Sequence, residues 1–341
     1  MKKKCKCGFT SIGGQALIEG IMMKSPENGS AIAVRVPNGS IDITRTVDKS
    51  VKDKYKILGI PVVRGVVGFV ESMLTGYKAM MISADKSGYA DEVDDETGET
   101  KKMSSKAWAG IMTVAMVLAL ALCFLLFMYL PRLAVDGLER IFGVAKFNPA
   151  VNSLIEQGIK LVIFLAYIVC VSFMKDIKRV FQYHGAEHKT IFCYEAGLPL
   201  TVENARKQKR FHPRCGTSFM ILMILISVFF STVVQVLFRD VYANKLVWAL
   251  IKIAMVPLIC GVGYEVLRLC GRHNNIVTRI ISAPGVWMQR ITTKEPDDSM
   301  LEVAIAALGE VLSRDDKEKF LPKKQEEQEA NEEDIKENDN I

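Results

Sequence analysis

The stretch WAGIMTVAMVLALALCFLLFMYL, residues 108–130, contains no charged residue and ends at Pro131. As a helix, its 23 residues are long enough to cross about 30 Å of hydrocarbon. Over the whole chain, 50% of the residues are apolar and 24% are charged, and the two classes lie in separate blocks. The sequence therefore predicts a membrane protein with polar ends.

Two more apolar runs predict membrane spans. Residues 154–174 carry charges only in their first third, at Glu156 and Lys160, and residues 219–238 carry none. Both runs are long enough to cross the bilayer as helices.

A fourth apolar run, residues 246–269, contains Pro257 and is predicted to be a kinked span. Glu265 near its end is an acid inside a membrane segment, which by default makes it a candidate functional residue. The alternative, which we favour, is an ion pair with Arg268 on the next turn of the same helix.

Basic residues in the short loops predict the orientation. Residues 175–218 contain nine Lys and Arg residues, whereas residues 131–153 contain three and residues 239–245 contain two. Because positive loops stay in the cytoplasm, residues 175–218 and both termini are predicted to be cytoplasmic. No cleavable signal is visible at the N-terminus. The fold class that follows is mainly α, a polytopic membrane protein with a four-helix domain over residues 107–272 and a small N-terminal β-containing cytoplasmic region.

The N-terminal region, residues 1–56, carries the strand signal. Alternating residues 31–36 and 41–46 flank Asn38-Gly39, which predicts a hairpin with a type I′ turn. Two strands are not stable alone, so residues 13–23 are a candidate third strand or short buried segment.

Polar and amphipathic segments fill the rest. Residues 57–84 are predicted to form an amphipathic or re-entrant helix, and residues 85–106 a polar linker. Residues 273–314 are predicted to be a cytoplasmic amphipathic helical segment, with a helix over 299–312 capped by its Ser. Residues 315–341 are predicted to be a disordered charged tail.

Histidines cluster in the predicted cytoplasmic segment. His184-Gly-Ala-Glu187-His188 places two imidazoles one helical turn apart on the same face, so both can turn toward one ion. Glu187 reaches the rim of such a site and is the candidate catalytic residue, as a general base.

A second cluster, His212-Pro-Arg-Cys215, follows in the same segment. Pro213 suits the first turn of a helix that begins near Cys215, where the helix dipole favours the thiolate that a metal needs. We therefore predict a divalent metal, zinc in the first place, bound by His184, His188, His212 and Cys215.

Alternatives remain open for this set. The four side chains could instead form a hydrogen-bonded cluster that closes the segment against the membrane. If a metal is bound by all four, the shell is filled and the metal is structural, whereas a catalytic site would use three of them with Glu187 as base or as a partner of a ligand.

The eight cysteines do not predict disulfides, because four lie in or at the ends of the spans and the others face a reducing compartment. Cys5-Lys-Cys7 could bind metal, but a basic N-terminus without such a role is the favoured interpretation.

Three long sequence motifs carry a family resemblance: GGQALIEGIMM at 13–23, QYHGAEHKTI at 182–191 and ENARKQKRFHPRCGTSF at 203–219. In them the chain resembles the YqhQ-type family of bacterial membrane proteins, which is described as uncharacterised or as a predicted metal-dependent enzyme. The resemblance implies a place in the bacterial inner membrane. The residues that match its motifs are His184, Glu187, His188, His212, Pro213, Arg214, Cys215 and Gly216.

Two function classes remain. The chain shows no P-loop, no dinucleotide-binding glycine motif and no serine-nucleophile elbow, and no aromatic residues alternate with its basic ones, which argues against a nucleic-acid partner. We favour a partner or regulator of membrane-protein insertion, translocation or quality-control machinery that contacts membrane lipids. The alternative is a metal-dependent membrane hydrolase acting on a lipid head group or a peptide. An enzyme should show more convergent acids and bases than the ligand set alone, which favours the first class.

Overall fold

The computed structural model describes residues 10–46, 55–89, 91–93, 100–102, 105–143, 148–213, 215–238, 245–272 and 275–321. The strands are β1 (Gly13–Leu17), β2 (Gly20–Ser25), β3 (Gly29–Arg35), β4 (Ile41–Thr46), β5 (Asp91–Val93) and β6 (Thr100–Lys102). The helices are α1 (Val63–Lys86), α2 (Ser105–Phe124), α3 (Leu130–Ile141), α4 (Pro149–Val171), α5 (Lys175–Glu195), α6 (Val202–Arg206), α7 (Gly216–Leu237), α8 (Lys245–Arg272), α9 (Ile276–Thr292), α10 (Asp298–Val311) and α11 (Arg314–Phe320).

The chain forms two compact units. The first consists of residues up to 48, residues 179–210 and residues from 293 onward, and the second consists of residues 49–178 and 211–292. The predicted mainly α class with an N-terminal sheet is confirmed, and the β region, α5 from residue 179 and the C-terminal helices share one unit.

In the first unit, four antiparallel strands in the order β1-β2-β3-β4 pack against α10. Ile21 and Met23 of β2 and Ala31 and Ala33 of β3 lie in one buried cluster, as the alternation of side chains along a strand requires. The predicted third strand over residues 13–23 is in fact two strands, β1 and β2.

The hairpin between β3 and β4 is confirmed, but its type I′ turn is wrong. Gly39 has a φ of +86° and Asn38 has a negative φ. The amide of Gly39 donates to the Val36 carbonyl at 2.8 Å, and the amide of Val36 donates to the Ser40 carbonyl at 3.0 Å. Pro37, whose φ is fixed near −65°, occupies the loop, so the chain uses a three-residue turn that ends in a glycine.

Helix α10 differs from the predicted amphipathic helix at residues 299–312. Its N-cap is Asp297, which accepts from the amide of Met300 at 2.9 Å, and the Ser299 hydroxyl donates to Asp297. Most of its side chains are buried, Leu301 and Leu308 among them, because it forms the centre of the first unit's core. The predicted Ser cap is therefore wrong.

The predicted disordered tail begins too early. Residues 314–320 form α11, capped by Ser313, and the buried Phe320 accepts at its carbonyl from the amide of Leu200 at 2.7 Å. Residues 322–341 lie outside the described residues, as does the Cys5-Lys-Cys7 pair.

Among the described residues of the second unit, four helices are long and apolar enough to cross a membrane, as predicted. They cover Gly110–Ile141, Ala150–Val171, Gly216–Leu237 and Leu250–Cys270. The predicted end at Pro131 is wrong. The helix continues past it, because a π-helical turn at Leu125–Tyr129 joins α2 to α3, and Pro131 directly follows this turn, the kind of irregularity that accommodates a proline within a helix.

Helix α1 covers most of the predicted helical segment 57–84, but it begins at Val63, after a 3₁₀ turn at Lys56–Gly59. It crosses α8 closely. A Cβ on Gly65 would lie 2.9 Å from the Cα of Gly261. Beside this crossing the Arg64 guanidinium donates to the Glu265 carboxylate at 2.7 Å. The favoured pair of Glu265 with Arg268 is corrected: the structure places Glu265 against Arg64, 201 residues away in sequence.

The structure changes two further predicted segments, residues 85–106 and residues 273–314. The predicted linker 85–106 contains the short antiparallel pair β5-β6. The predicted segment 273–314 is divided, because α9 belongs to the second unit and α10 to the first. Helix α9 packs on α7, where a Cβ on Gly285 would lie 2.5 Å from that of Ser218.

Candidate metal centre

Helix α5 carries the two histidines of the first cluster. The ring centroids of His184 and His188 are 4.4 Å apart in an edge-on arrangement. Both side chains are buried, His188 to 1% exposure. The two imidazoles therefore share one face of the helix, as their spacing of four predicts.

The backbone of the first unit selects the tautomer of His188. Its Nδ1 lies 2.5 Å from the carbonyl oxygen of Arg210. Because a carbonyl can only accept, Nδ1 of the neutral ring donates, and the lone pair is then on Nε2. This is the orientation that metal-bound histidines usually adopt.

Glu187, the predicted general base, lies against the sheet. Its side chain is 5% exposed. A Cβ on Gly14 of β1 would lie 2.8 Å from the Glu187 carboxyl carbon and 2.9 Å from the Met22 carbonyl oxygen. The close approach of this carboxylate to β1 thus requires a glycine at position 14.

Gly185 lies between the histidines and was not singled out from the sequence. A Cβ at this position would lie 2.1 Å from the carbonyl oxygen of Lys294, whose amide donates to the Phe181 carbonyl at 2.8 Å. The sequence signal that could have indicated this close packing is a glycine between two histidines of a helical motif. Gly185 lets the segment before α10 pack directly on α5.

Ion pairs surround this end of α5. The buried Lys189 donates to the Arg206 carbonyl at 2.8 Å and pairs with Glu295, which also accepts from Arg210 at 3.0 Å. Burial tends to raise the pKa of Glu295, but the hydrogen bonds from the two cations outweigh it and lower that pKa. The carboxylate is therefore held in its charged form beside α5.

Cys193, also on α5, has a different role. Its thiol donates to the Pro199 carbonyl at 3.5 Å, and burial raises its pKa to about 11. Cys193 belongs to the buried cluster of the first unit, which is the environment of a core side chain. The six described cysteines are all free of disulfides.

In the second unit, Cys215 is the N-cap of α7. The amide of Thr217 donates to its Sγ at 3.5 Å. The helix begins at Gly216, so the prediction that Pro213 lies in its first turn is wrong. The thiol still lies at the positive end of the helix dipole, which favours the thiolate.

His212 is buried and held through its backbone. Gln289 of α9 accepts from the His212 amide and donates to the His212 carbonyl, both at 2.7 Å. Gln289 also donates to the Ser218 hydroxyl at 3.2 Å. Gln289 was missed by sequence reasoning, because nothing in the motif marks a residue 77 positions away.

His184 and His188 of the first unit and Cys215 of the second are each buried, and each side chain offers one ligand atom. Two imidazole nitrogens and one thiolate are ligands of the type that zinc and neighbouring transition metals accept. Of the four predicted ligands, His184 and His188 lie side by side on α5 in the first unit, whereas His212 and Cys215 lie in the second.

Comparison with known proteins places the chain. A family model described as a protein of unknown function, DUF1385, matches residues 60–314. The chain belongs to this family. It is also 34% identical, over 305 residues, to the uncharacterized protein YqhQ of Bacillus subtilis, an alignment that covers 88% of this chain and 92% of the relative. No solved structure matches.

The DUF1385 match covers all four candidate spans and the four predicted metal ligands. The sheet β1–β4 lies before its first matched residue. The predicted YqhQ-type family is therefore confirmed. The family description assigns no activity, so the function rests on the chemistry of the residues.

Proposed function

We propose that this chain is a non-catalytic protein of the bacterial inner membrane that acts as a partner or regulator of membrane-protein insertion, translocation or quality-control machinery. In this proposal a divalent metal, zinc in the first place, stabilises the fold. The observation that carries the proposal is the burial of Glu187 against Gly14.

A general base must reach the water or hydroxyl that it activates. Glu187 is 5% exposed, and its carboxyl group packs against the backbone of β1. That placement suits a carboxylate that joins α5 to the sheet. It does not suit one that exchanges protons with a substrate.

The proposed metal ligands are His184, His188 and Cys215, with His212 as the fourth ligand expected from the sequence. Four protein ligands fill a tetrahedral shell and leave no open position for water, which is typical of structural zinc. The burial of all four side chains supports a closed site. The metal would then supply folding free energy and no chemistry.

The proposed orientation places residues 175–218 and both termini in the cytoplasm, on the strength of the nine basic residues in that segment. The proposed partners are membrane lipids and other membrane proteins. Nucleic acid is not among them.

The test is complementation of a deletion strain by Glu187→Gln, with the abundance of the variant measured in parallel. Gln keeps the volume and one hydrogen-bonding oxygen but cannot accept a proton, and loss of a general base typically costs about 10²–10⁴ in rate. The proposal expects near-normal complementation at normal abundance. Lost complementation at normal abundance would favour instead the metal-dependent hydrolase of a lipid head group or peptide.

A further inference from the structure

The membrane-spanning unit buries a cluster of charges that the proposed function does not use. Glu156 of α4 is 1% exposed. Its Oε1 accepts from Lys160 on the same helix, at 3.1 Å, and also from Lys252 of α8. Two cations share one carboxylate, so these three groups carry a net positive charge.

A cavity of about 190 Å³ lies beside this cluster. Its polar lining residues are Gln157, Lys160, Ser227, Ser231 and Lys252. Ile253 and Val256 also line it, and their side chains are about half exposed on the surface of the unit. On a membrane-spanning helix such apolar side chains face the acyl chains. The cavity therefore has a cationic floor and an apolar rim on the lipid side.

The depth of the cluster fits the polar part of a lipid. Glu156 lies seven residues after Pro149, where α4 begins, and Lys252 lies seven residues after Lys245, where α8 begins. At 1.5 Å per residue, each charge is roughly 10 Å from its helix end. Arg132 and Asp136, which line a neighbouring cavity with Lys252, add one charge of each sign, so a net positive charge remains at that depth. Such a charge is costly unless an anion joins it.

We propose that this cavity binds the anionic head group of a membrane amphiphile, a phosphate diester or a carboxylate. The ammonium groups of Lys160 and Lys252 hold the anionic oxygens, and the first acyl carbons lie over Ile253 and Val256. Basic pockets between transmembrane helices bind lipid head groups by the same chemistry. The site is independent of the proposed metal centre.

The experiment uses the full-length protein, stripped of lipid in a neutral detergent. Dioleoyl phosphatidylglycerol, oleate, dioleoyl phosphatidylcholine and inorganic phosphate are added separately, and bound molecules are counted by native mass spectrometry together with the thermal midpoint. We expect phosphatidylglycerol or oleate to bind and raise the midpoint. Phosphatidylcholine and free phosphate should do neither. The better of the two binders identifies the head group.

Two variants should differ in how well they bind the preferred amphiphile. Lys252→Met leaves Glu156 balanced by Lys160, and should weaken binding of the preferred amphiphile by about tenfold or more, the effect of losing one charge-assisted hydrogen bond. Glu156→Gln keeps both cations and should bind as well as wild type or better. Lys178→Met removes an exposed lysine at the start of α5 and is the matched control.

Three results would overturn the proposal. They are equal binding of phosphatidylcholine and the anionic amphiphiles, wild-type binding by Lys252→Met, and an effect of free phosphate as large as that of the amphiphile. Loss of binding by Glu156→Gln in protein with a normal thermal midpoint would also contradict it.

Discussion

The carboxyl carbon of Glu187 lies 2.8 Å from the position that a Cβ atom would take on Gly14. This approach joins the histidine helix α5 to strand β1. It also gives a structural reason for a glycine at position 14, far along the chain from the histidines.

Gly14→Ala should therefore destabilise the first unit. The added methyl group would force the Glu187 carboxylate or the carbonyl of Met22 to move, at a cost of roughly 1–3 kcal/mol. Thermal unfolding and steady-state abundance measure the effect. The matched control is Gly13→Ala, since nothing lies within 4 Å of a Cβ at Gly13. Equal midpoints for the two variants would mean that Glu187 does not occupy this position.

A stronger effect is expected for Gly185→Ala. Its Cβ would lie 2.1 Å from the backbone oxygen of Lys294, which a side-chain rotation cannot relieve, so the loss should be about 3 kcal/mol or more. Low abundance or a much lower thermal midpoint checks this. Gly158→Ala, in the open part of α4, is the helical control and should be neutral or stabilising. A wild-type midpoint for Gly185→Ala would show that the packing of residue 294 on α5 is wrong.

The partner of Glu265 can be decided by a double-mutant cycle. Arg64→Ala and Glu265→Ala should be coupled by roughly 1–2 kcal/mol in thermal or denaturant unfolding, because the two side chains share a hydrogen bond of 2.7 Å. Arg268→Ala with Glu265→Ala is the comparison, and its coupling should be smaller. If the coupling of Glu265 to Arg268 were stronger than its coupling to Arg64, the ion pair Glu265–Arg268 expected from the sequence would be correct instead.

The proposed topology has its own test. A reporter that is active only outside the cytoplasm, fused after residue 144, should be active, and the same reporter fused after residue 201 should be inactive. The reason is the excess of basic residues in the 175–218 segment. The reverse pattern would move the candidate metal centre to the other side of the membrane.

Local patterns predicted much of this fold. The four spans follow from runs of apolar residues, and the shared face of His184 and His188 follows from their spacing. Both depend on residues close together in the chain, where hydropathy and helical period act directly.

Contacts between residues far apart in the chain could not be predicted from the sequence in the same way. Arg64 meets Glu265 across 201 positions, and Gln289 holds His212 across 77. Helix α10 has an amphipathic pattern, yet it is buried on nearly every side because the sheet and α6 pack against it. Such contacts are set by how elements pack, and no single segment carries the signal.

The most direct measurement for the central claim is the metal content of the purified full-length protein. Elemental analysis should give about one zinc or similar ion per chain, since the proposed ligands His184, His188, His212 and Cys215 would fill a tetrahedral shell. The double variant His184→Ala with His188→Ala should lose the ion, while His273→Ala, which alters the one histidine outside both motifs, should keep it. Folded wild-type protein that contains no metal would contradict the account.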